Sequence, residues 1–411
     1  MEDGLPRVAR LQPLPHERLY DTSASSSSPS PPSLLPKPAG TYLVTGGLGS
    51  LGLEVAGWLV EKGVRRLVLV SRRKLPARCD WDKLEASTSS GLKPAVDKIL
   101  EFEACGATVY TLAVDIGAAD AAAVLQTKLD RLQLPPVLGI VHAAGTLEDQ
   151  LVLNASPEAF SRVLQPKVAG ALALHTTFPP RTLDWLVLFS SCGQLFGFPG
   201  QGSYASGNAF LDSLATYRRA LGDNTVAFQW TSWRGLGMAA SAESINAELQ
   251  SKGITDITPE EAFRAWEHLG KYDLAHGAVL RTLPFPEGEP LPADILDDIA
   301  IRTKALSPGT VEGDIDADTA AGGAMLTNGL DLRIWLEQKI RDVVAGVLML
   351  ESAEEVDPRA AIADLGVDSV ITATLRHRLQ SALKVKVPPT LFWSYPTVCH
   401  LASWFAEKVR T

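Results

Sequence analysis

The chain has 411 residues, 46% of them hydrophobic, and a formal charge of −9 at pH 7. This length suggests two or three domains, and the acidic balance argues against a nucleic-acid partner, which calls for a basic stripe. No two of Cys79, Cys105, Cys192 and Cys399 lie at a metal-ligand spacing, no run of about 18 apolar residues marks a membrane span, and residues 1–20 have no signal-peptide core; the expectation is a soluble cytoplasmic protein with reduced thiols and no metal.

Residues 1–38 read as an N-terminal remnant ending in a Ser/Pro-rich linker, where proline prevents regular structure. Within 39–303, apolar runs at 41–44, 66–70, 108–114, 137–142, 185–189 and 225–229 read as buried strands. Helical patterns at 51–62, 96–104, 119–132, 157–176 and 205–220 separate them. Apolar strands joined by helical crossovers predict a doubly wound α/β fold, a parallel sheet covered on both faces. Residues 304–329 are small, acidic and Gly-rich and read as a flexible linker. Residues 330–411 carry helical patterns at 332–350, 369–383 and 397–408, punctuated by Val387-Pro388-Pro389 and Tyr395-Pro396, and predict a small helical bundle.

Gly46, Gly47, Leu48, Gly49, Ser50, Leu51 and Gly52 follow the first predicted strand and open the first helix, and Gly47, Gly49 and Gly52 fit G-x-G-x-x-G. Such a loop makes a tight turn, lets backbone approach a pyrophosphate, and offers the N–H groups and positive dipole of a helix end. The second strand ends in Ser71, Arg72 and Arg73 where an acid would bind a ribose 2′-hydroxyl. Cations there suit the 2′-phosphate of NADPH, with Arg72 the first after the strand, unless both arginines are merely solvated. Asp115, closing the third strand, binds the adenine amino group or caps the following helix. In His142-Ala143-Ala144-Gly145 the small residues, Ala143 first, allow backbone close to the cofactor.

Lys167 lies in Gln165-Pro166-Lys167-Val168, Ser190 and Ser191 end the fifth strand, and Tyr204-Ala205-Ser206-Gly207-Asn208 opens the next helix. This order resembles the short-chain dehydrogenase/reductase superfamily, and within it the ketoreductase domains of polyketide synthases, which use Lys, Ser, Tyr and Asn in that sequence. The frames Gly197-x-x-Gly200-Gln201-x-x-Tyr204 and Trp230-x-x-Trp233-x-Gly235-x-Gly237-Met238 carry the same resemblance. The resemblance implies a Ser thirteen residues before the Tyr, which selects Ser191 over Ser190. The resemblance implies a Rossmann body in which Tyr204 protonates the oxygen of a ketone, Ser191 hydrogen-bonds it, Lys167 lowers the Tyr204 pKa and holds the nicotinamide ribose, and Asn208 orders a proton relay. Leu147-Glu148-Asp149 stands where family members carry Leu-Asp-Asp, and Phe196 where the opposite stereochemical class carries Trp. The balance leans to a D-hydroxy product, and residues 241–252 read as a lid over the substrate.

Leu365-Gly366-Val367-Asp368-Ser369-Val370 stands before a helical pattern. Read alone, Ser369 is equally a helix N-cap. The string resembles the phosphopantetheine attachment site of an acyl carrier, which implies a four-helix bundle carrying the substrate as a thioester on Ser369. The stretches 367–380 and 385–398 are similar to the carrier of fungal partially reducing synthases of the 6-methylsalicylic acid synthase type. Leu391-Phe392-Trp393 and Trp404-Phe405 form a docking face or core, and Arg376, His377 and Arg378 a partner patch or a solvated face. Residues 7–15 resemble the end of the non-catalytic half that precedes such a ketoreductase. The resemblance therefore implies reduction of a carrier-bound β-ketoacyl thioester in a larger, homo-oligomeric synthase. The expected partners are a phosphopantetheinyl transferase and ketosynthase and acyltransferase domains, with no nucleic acid and no membrane. An inactive reductase-like scaffold, or a dehydrogenase of a free alcohol, are the rival readings.

Overall fold

A computed structural model describes residues 9–14, 33–84, 92–237, 248–288, 290–303, 329–348, 352–360, 375–376, 378–380, 382–383, 385, 387, 391 and 395–409. The chain divides into two compact units, Met1–Thr303 and Lys304–Thr411.

The first unit is built on a seven-stranded parallel sheet. Its strands are β1 (Thr41–Thr45), β2 (Arg66–Ser71), β3 (Thr108–Ala113), β4 (Val137–His142), β5 (Trp185–Ser191), β6 (Thr225–Trp230) and β7 (His276–Val279), in spatial order β3-β2-β1-β4-β5-β6-β7. The strands carry apolar residues on both faces because both faces are covered. Tyr42, Val44, Leu67 and Leu69 point into one core, whereas Leu43, Val68 and Val70 point into another. The first core is closed by α1 (Ser50–Glu61), α2 (Lys93–Ala104) and α8 (Pro259–Leu269). The second is closed by α3 (Ala121–Leu132), α5 (Gly170–Thr177) and α7 (Gly202–Ala220), which the short helix α6 (Gly193–Phe196) precedes. The chain leaves β1 for one edge through β2 and β3 and returns to its other side at β4, so the reversal of strand order falls between β1 and β4. In an open α/β sheet, the crevice beyond the carboxyl ends of the strands at that point is where ligands bind.

The expected doubly wound parallel sheet is therefore present, with strands and helices close to the predicted bounds. Two differences have physical causes. Residues 157–176 were expected as one helix, but α4 (Pro157–Leu164) and α5 are joined by a π-helical turn, Gln165–Ala169. Pro166 has no amide hydrogen to continue the α ladder, and the turn widens there. The edge strand β7 pairs parallel to β6 but is short and mixed in polarity, so no apolar run marked it. A buried Arg218–Asp223 ion pair (2.7 Å) fastens the end of α7 to β6, its arginine also bonding Thr225 and the Phe178 carbonyl.

In the second unit the described elements are α9 (Gly329–Leu348), a short turn at Ala353–Glu355, and α10 (Val398–Val409). Leu336, Ile340 and Val344 form an i, i+4 stripe on α9 and share a core with Val398, Leu401, Ala402 and Phe405 of α10 and with Leu375, Leu379 and Leu391. Leu391 and Phe405 are thus core residues rather than parts of a docking face, while Trp404 is half-buried against the core's edge. Ser369, Asp368, His377, Phe392 and Trp393 lie outside the described residues. Among the described residues no helix is long and apolar enough to cross a membrane, and no cluster of side chains suits a metal ion.

Candidate active site

Two cavities open at the carboxyl ends of the central strands. The first, about 350 Å³, lies over the β1–α1 loop and is lined by Gly46, Gly49, Ser50, Leu51, Gly52, Ser71, Arg72, Arg73, Asp115, Ala143 and Ala144. Gly46 has φ +69°, a conformation that favours glycine. A Cβ on Gly52 would lie 2.4 Å from the Gly46 carbonyl oxygen, so any side chain there would force the loop open. Helix α1 starts behind this loop with no side-chain cap and no acid in its first turn, which leaves its first N–H groups and positive dipole to an anion. The cavity fits a dinucleotide: a bare backbone cradle for the diphosphate, and arginines at the end of β2. Gly47 and Leu48 do not line it. Gly47 packs on Leu69, where a Cβ would sit 2.8 Å from that side chain, and Leu48 is buried in the core.

Arg72 and Arg73 stand differently. Both are exposed at the rim, but the Arg73 guanidinium donates to the Leu48 carbonyl and so braces the glycine loop. Asp115 is not a helix cap: α3 begins at Ala121, and Asp115 Oδ1 instead accepts the Gly117 N–H at 3.1 Å, a local turn that holds the carboxylate against the cavity.

The second cavity, about 140 Å³, shares Leu51, Ala143, Gly145 and Gly237 with the first and so adjoins it. Lys167, Ser190, Ser191, Gln201 and Tyr204 line it together with Leu147, Phe198, Trp230, Trp233 and Leu249. The π turn presents Lys167, 4% exposed, whose ammonium donates to the Phe189 carbonyl at 2.9 Å and lies 5.1 Å from the Tyr204 ring centroid. Tyr204 stands in the first turn of α7. Asn208, one turn on, donates from Nδ2 to the Tyr204 backbone carbonyl at 2.9 Å, while its buried Oδ1 accepts from no protein group among the described residues. Ser191 Oγ accepts the Gly193 N–H at 3.1 Å, whereas Ser190 turns its hydroxyl to the Asn208 carbonyl. Lys167, Ser191 and Tyr204 are thus brought to one small cavity, with Asn208 behind them.

The protonation balance differs from the sequence-based expectation. Burial drives Lys167 down to about 7, opposed only by the distant charge of Asp212. Burial also raises Tyr204 above an ordinary phenol, against the pull of Asn208 and Ser191. The net effect on Tyr204 is upward, with desolvation the largest cause, and the phenol keeps its proton near pH 7.

Glu148 pairs with Arg162 (2.7 and 3.0 Å), away from the cavity, while Asp149 accepts Gln201 Nε2 at 3.1 Å. Phe196 is buried in a neighbouring cluster and does not line the cavity. Of the expected lid, 241–247 lies outside the described residues, and Glu248 and Leu249 line the second cavity. Burial and the nearby Asp149 carboxylate raise Glu248 to about 6. Three side chains were not singled out from sequence. Asp212, one further turn along α7, accepts amides from Gln194 and Gln229 (2.6 Å) beneath Ser190. Gln201 and His142 stood inside motifs already marked, but as frame positions only.

Comparisons with known proteins agree with this geometry. The KR domain family matches residues 40–235, and the phosphopantetheine attachment site family matches residues 338–405. The 6-methylsalicylic acid synthase of Aspergillus terreus is 58% identical over all of this chain, and that of Penicillium patulum 56%. The chain spans 22% of the length of each. Among solved structures, the ketoreductase from the first module of phoslactomycin biosynthesis in Streptomyces sp. HK803 is 34% identical, with a TM-score of 0.52 over 62% of this chain and 55% of that one. KR domains use NADPH, and phosphopantetheine attachment domains carry that arm. The chain therefore holds a KR domain followed by a phosphopantetheine attachment domain, and it is homologous over its whole length to a part of the 6-methylsalicylic acid synthases.

Proposed function

We propose that the chain reduces a β-ketoacyl thioester to the β-hydroxyacyl thioester with NADPH, the acyl chain being carried on phosphopantetheine at Ser369. The observation that carries this reading is the convergence of Lys167, Ser191 and Tyr204 on one cavity that adjoins a glycine-loop cavity. Gly46, Gly49 and Ser50 at the start of α1 would hold the diphosphate, Arg72 the 2′-phosphate, Asp115 the adenine amino group and Lys167 the ribose. When bound, NADPH supplies the hydride. Reduction leaves negative charge growing on the substrate oxygen, and there Tyr204, protonated because it is buried, delivers a proton while Ser191 donates a hydrogen bond. Asn208, through its unpartnered Oδ1, would lead the replacement proton toward Tyr204. The tryptophans and Leu249 keep the reacting carbonyl dry.

Asp149 held by Gln201, with Phe196 turned away, favours the D-hydroxy product. A phosphopantetheinyl transferase would load Ser369. Ketosynthase and acyltransferase domains of a longer, homo-oligomeric cytoplasmic synthase would supply the chain, as the multidomain size of the relatives suggests. The test has two parts. Treatment with a phosphopantetheinyl transferase and coenzyme A should add one arm by mass, lost in Ser369→Ala. NADPH oxidation with a β-ketoacyl thioester should then be seen in the parent. A loaded parent that binds NADPH but oxidises none would overturn the reading.

A further inference from the structure

His142 closes β4 with its ring wholly buried, yet it lines neither cavity. Its Nδ1 lies 2.7 Å from Thr45 Oγ1, and its Nε2 lies 3.4 Å from the Lys167 carbonyl, with the Pro166 carbonyl facing the same ring. Burial and the positive charge of Lys167 push its pKa down to about 4, so the ring is neutral near pH 7. A neutral imidazole has one donor and one acceptor nitrogen. Nε2 meets only carbonyls and must carry the proton. Nδ1 then accepts from the Thr45 hydroxyl, whose oxygen in turn accepts the Ala144 N–H at 3.4 Å. The chain of donors runs one way, from Ala144 through Thr45 and His142 to Lys167.

The two ends of that chain are the two halves of the site. Thr45 is the last residue of β1, directly before Gly46, and Ala144 lines the first cavity. Lys167 sits in the π turn, where the α-helical ladder is interrupted, and its carbonyl faces both the Gly170 N–H and the His142 ring. Gly170 lets α5 settle onto the ring: a Cβ there would approach His142 Cε1 to 3.0 Å.

We propose that His142 is a positioning residue that ties the Lys167 turn to the glycine-loop strand, setting where the ammonium stands in the second cavity. The inference rests on the reductase reading for its catalytic consequence. The test uses the full chain with His142→Asn and His142→Gln. A glutamine amide reaches the place of Nε2 and can still donate to the Lys167 carbonyl, whereas asparagine reaches only the Thr45 hydroxyl. For a misplaced catalytic group, His142→Asn should lower kcat by about 10- to 100-fold, with the NADPH dissociation constant little changed. It should also speed hydrogen exchange in the backbone of 165–170. His142→Gln should keep most of the parent's kcat and exchange protection. A His142→Asn protein with parental kcat and parental exchange at 165–170 would overturn the proposal, as would an equal loss in both variants with exchange rising throughout the sheet. A parent without NADPH oxidation sinks the reductase reading instead, and the exchange pattern still decides whether the tether exists.

Discussion

The two cavities adjoin, yet they are made of different material. The first is mostly backbone: Gly46, Gly49 and Gly52, the open end of α1, and arginines reaching in from the rim. The second is made of side chains withdrawn from water, and its polar groups have displaced proton affinities: Lys167 at about 7, Glu248 at about 6, and Tyr204 above an ordinary phenol. A diphosphate already carries its charge and needs only fixed N–H groups. A proton transfer needs a donor whose affinity has been moved, and burial is what moves it. Substitutions in the two cavities should therefore separate: one set acts on nucleotide affinity, the other on the chemical step.

The largest separation is expected at Tyr204. Removal of its hydroxyl in Tyr204→Phe should lower kcat for β-ketoacyl reduction by about 10²–10⁴-fold, the usual worth of a positioned proton donor. The NADPH dissociation constant, measured by fluorescence titration, should stay near the parent's. A parallel collapse of NADPH binding would show that the cavities are not separable.

Acid should next expose the buried ring at the seam. His142 titrates near 6.5 when unfolded and about 4 when folded, so the unfolded chain binds more protons between those values. Its contribution is complete above pH 6.5 and is lost as pH falls toward 4, by roughly 3 kcal/mol at about 1.4 kcal/mol for each pH unit of separation. Urea unfolding at several pH values should show this slope in the parent and lose much of it in His142→Gln. An identical slope in both would remove His142 from the acid sensitivity.

Gly52→Ala probes the backbone cavity. Its Cβ would meet the Gly46 carbonyl at 2.4 Å, and overpacking of this kind costs about 1–3 kcal/mol. Thermal unfolding should shift accordingly, and NADPH should bind more weakly, while any turnover at saturating NADPH should approach that of the parent. A variant with parental stability and affinity would mean that the loop yields without consequence.

The same division explains what was legible in the residues themselves. Backbone sites announce themselves through glycine and through the end of an apolar run, so the β1–α1 loop and six of the seven sheet strands were readable. The meeting of Lys167, Ser191 and Tyr204 in one cavity was readable through an order and spacing that resemble a known family. What was hidden depends on tertiary placement. That Lys167 is desolvated, and that Tyr204 moves up rather than down, follows from burial that no spacing encodes. Asp115 looked like a cap because a helical pattern followed, but α3 starts six residues later. His142 passed as one more residue in an apolar run with small neighbours. Its partners Thr45 and Lys167 are 97 and 25 residues away.

The smallest effect should distinguish two adjacent arginines. Both line the first cavity and both are exposed, but Arg73 donates to the Leu48 carbonyl. A phosphate contact at an exposed rim is screened by salt, so Arg72→Ala should weaken NADPH by only about tenfold, roughly 1.4 kcal/mol, and leave NADH binding unchanged. The loss should shrink as ionic strength rises. Arg73→Ala should instead weaken NADPH and NADH alike, because it loosens the loop that both share. Titration of each variant with both nucleotides at two salt concentrations decides the matter. If Arg73→Ala alone discriminates against NADPH, the 2′-phosphate is held by Arg73, and the bracing of Leu48 is incidental to binding. If neither variant changes the preference, the rim cations are solvated charges, and the specificity of the first cavity resides in its backbone as well.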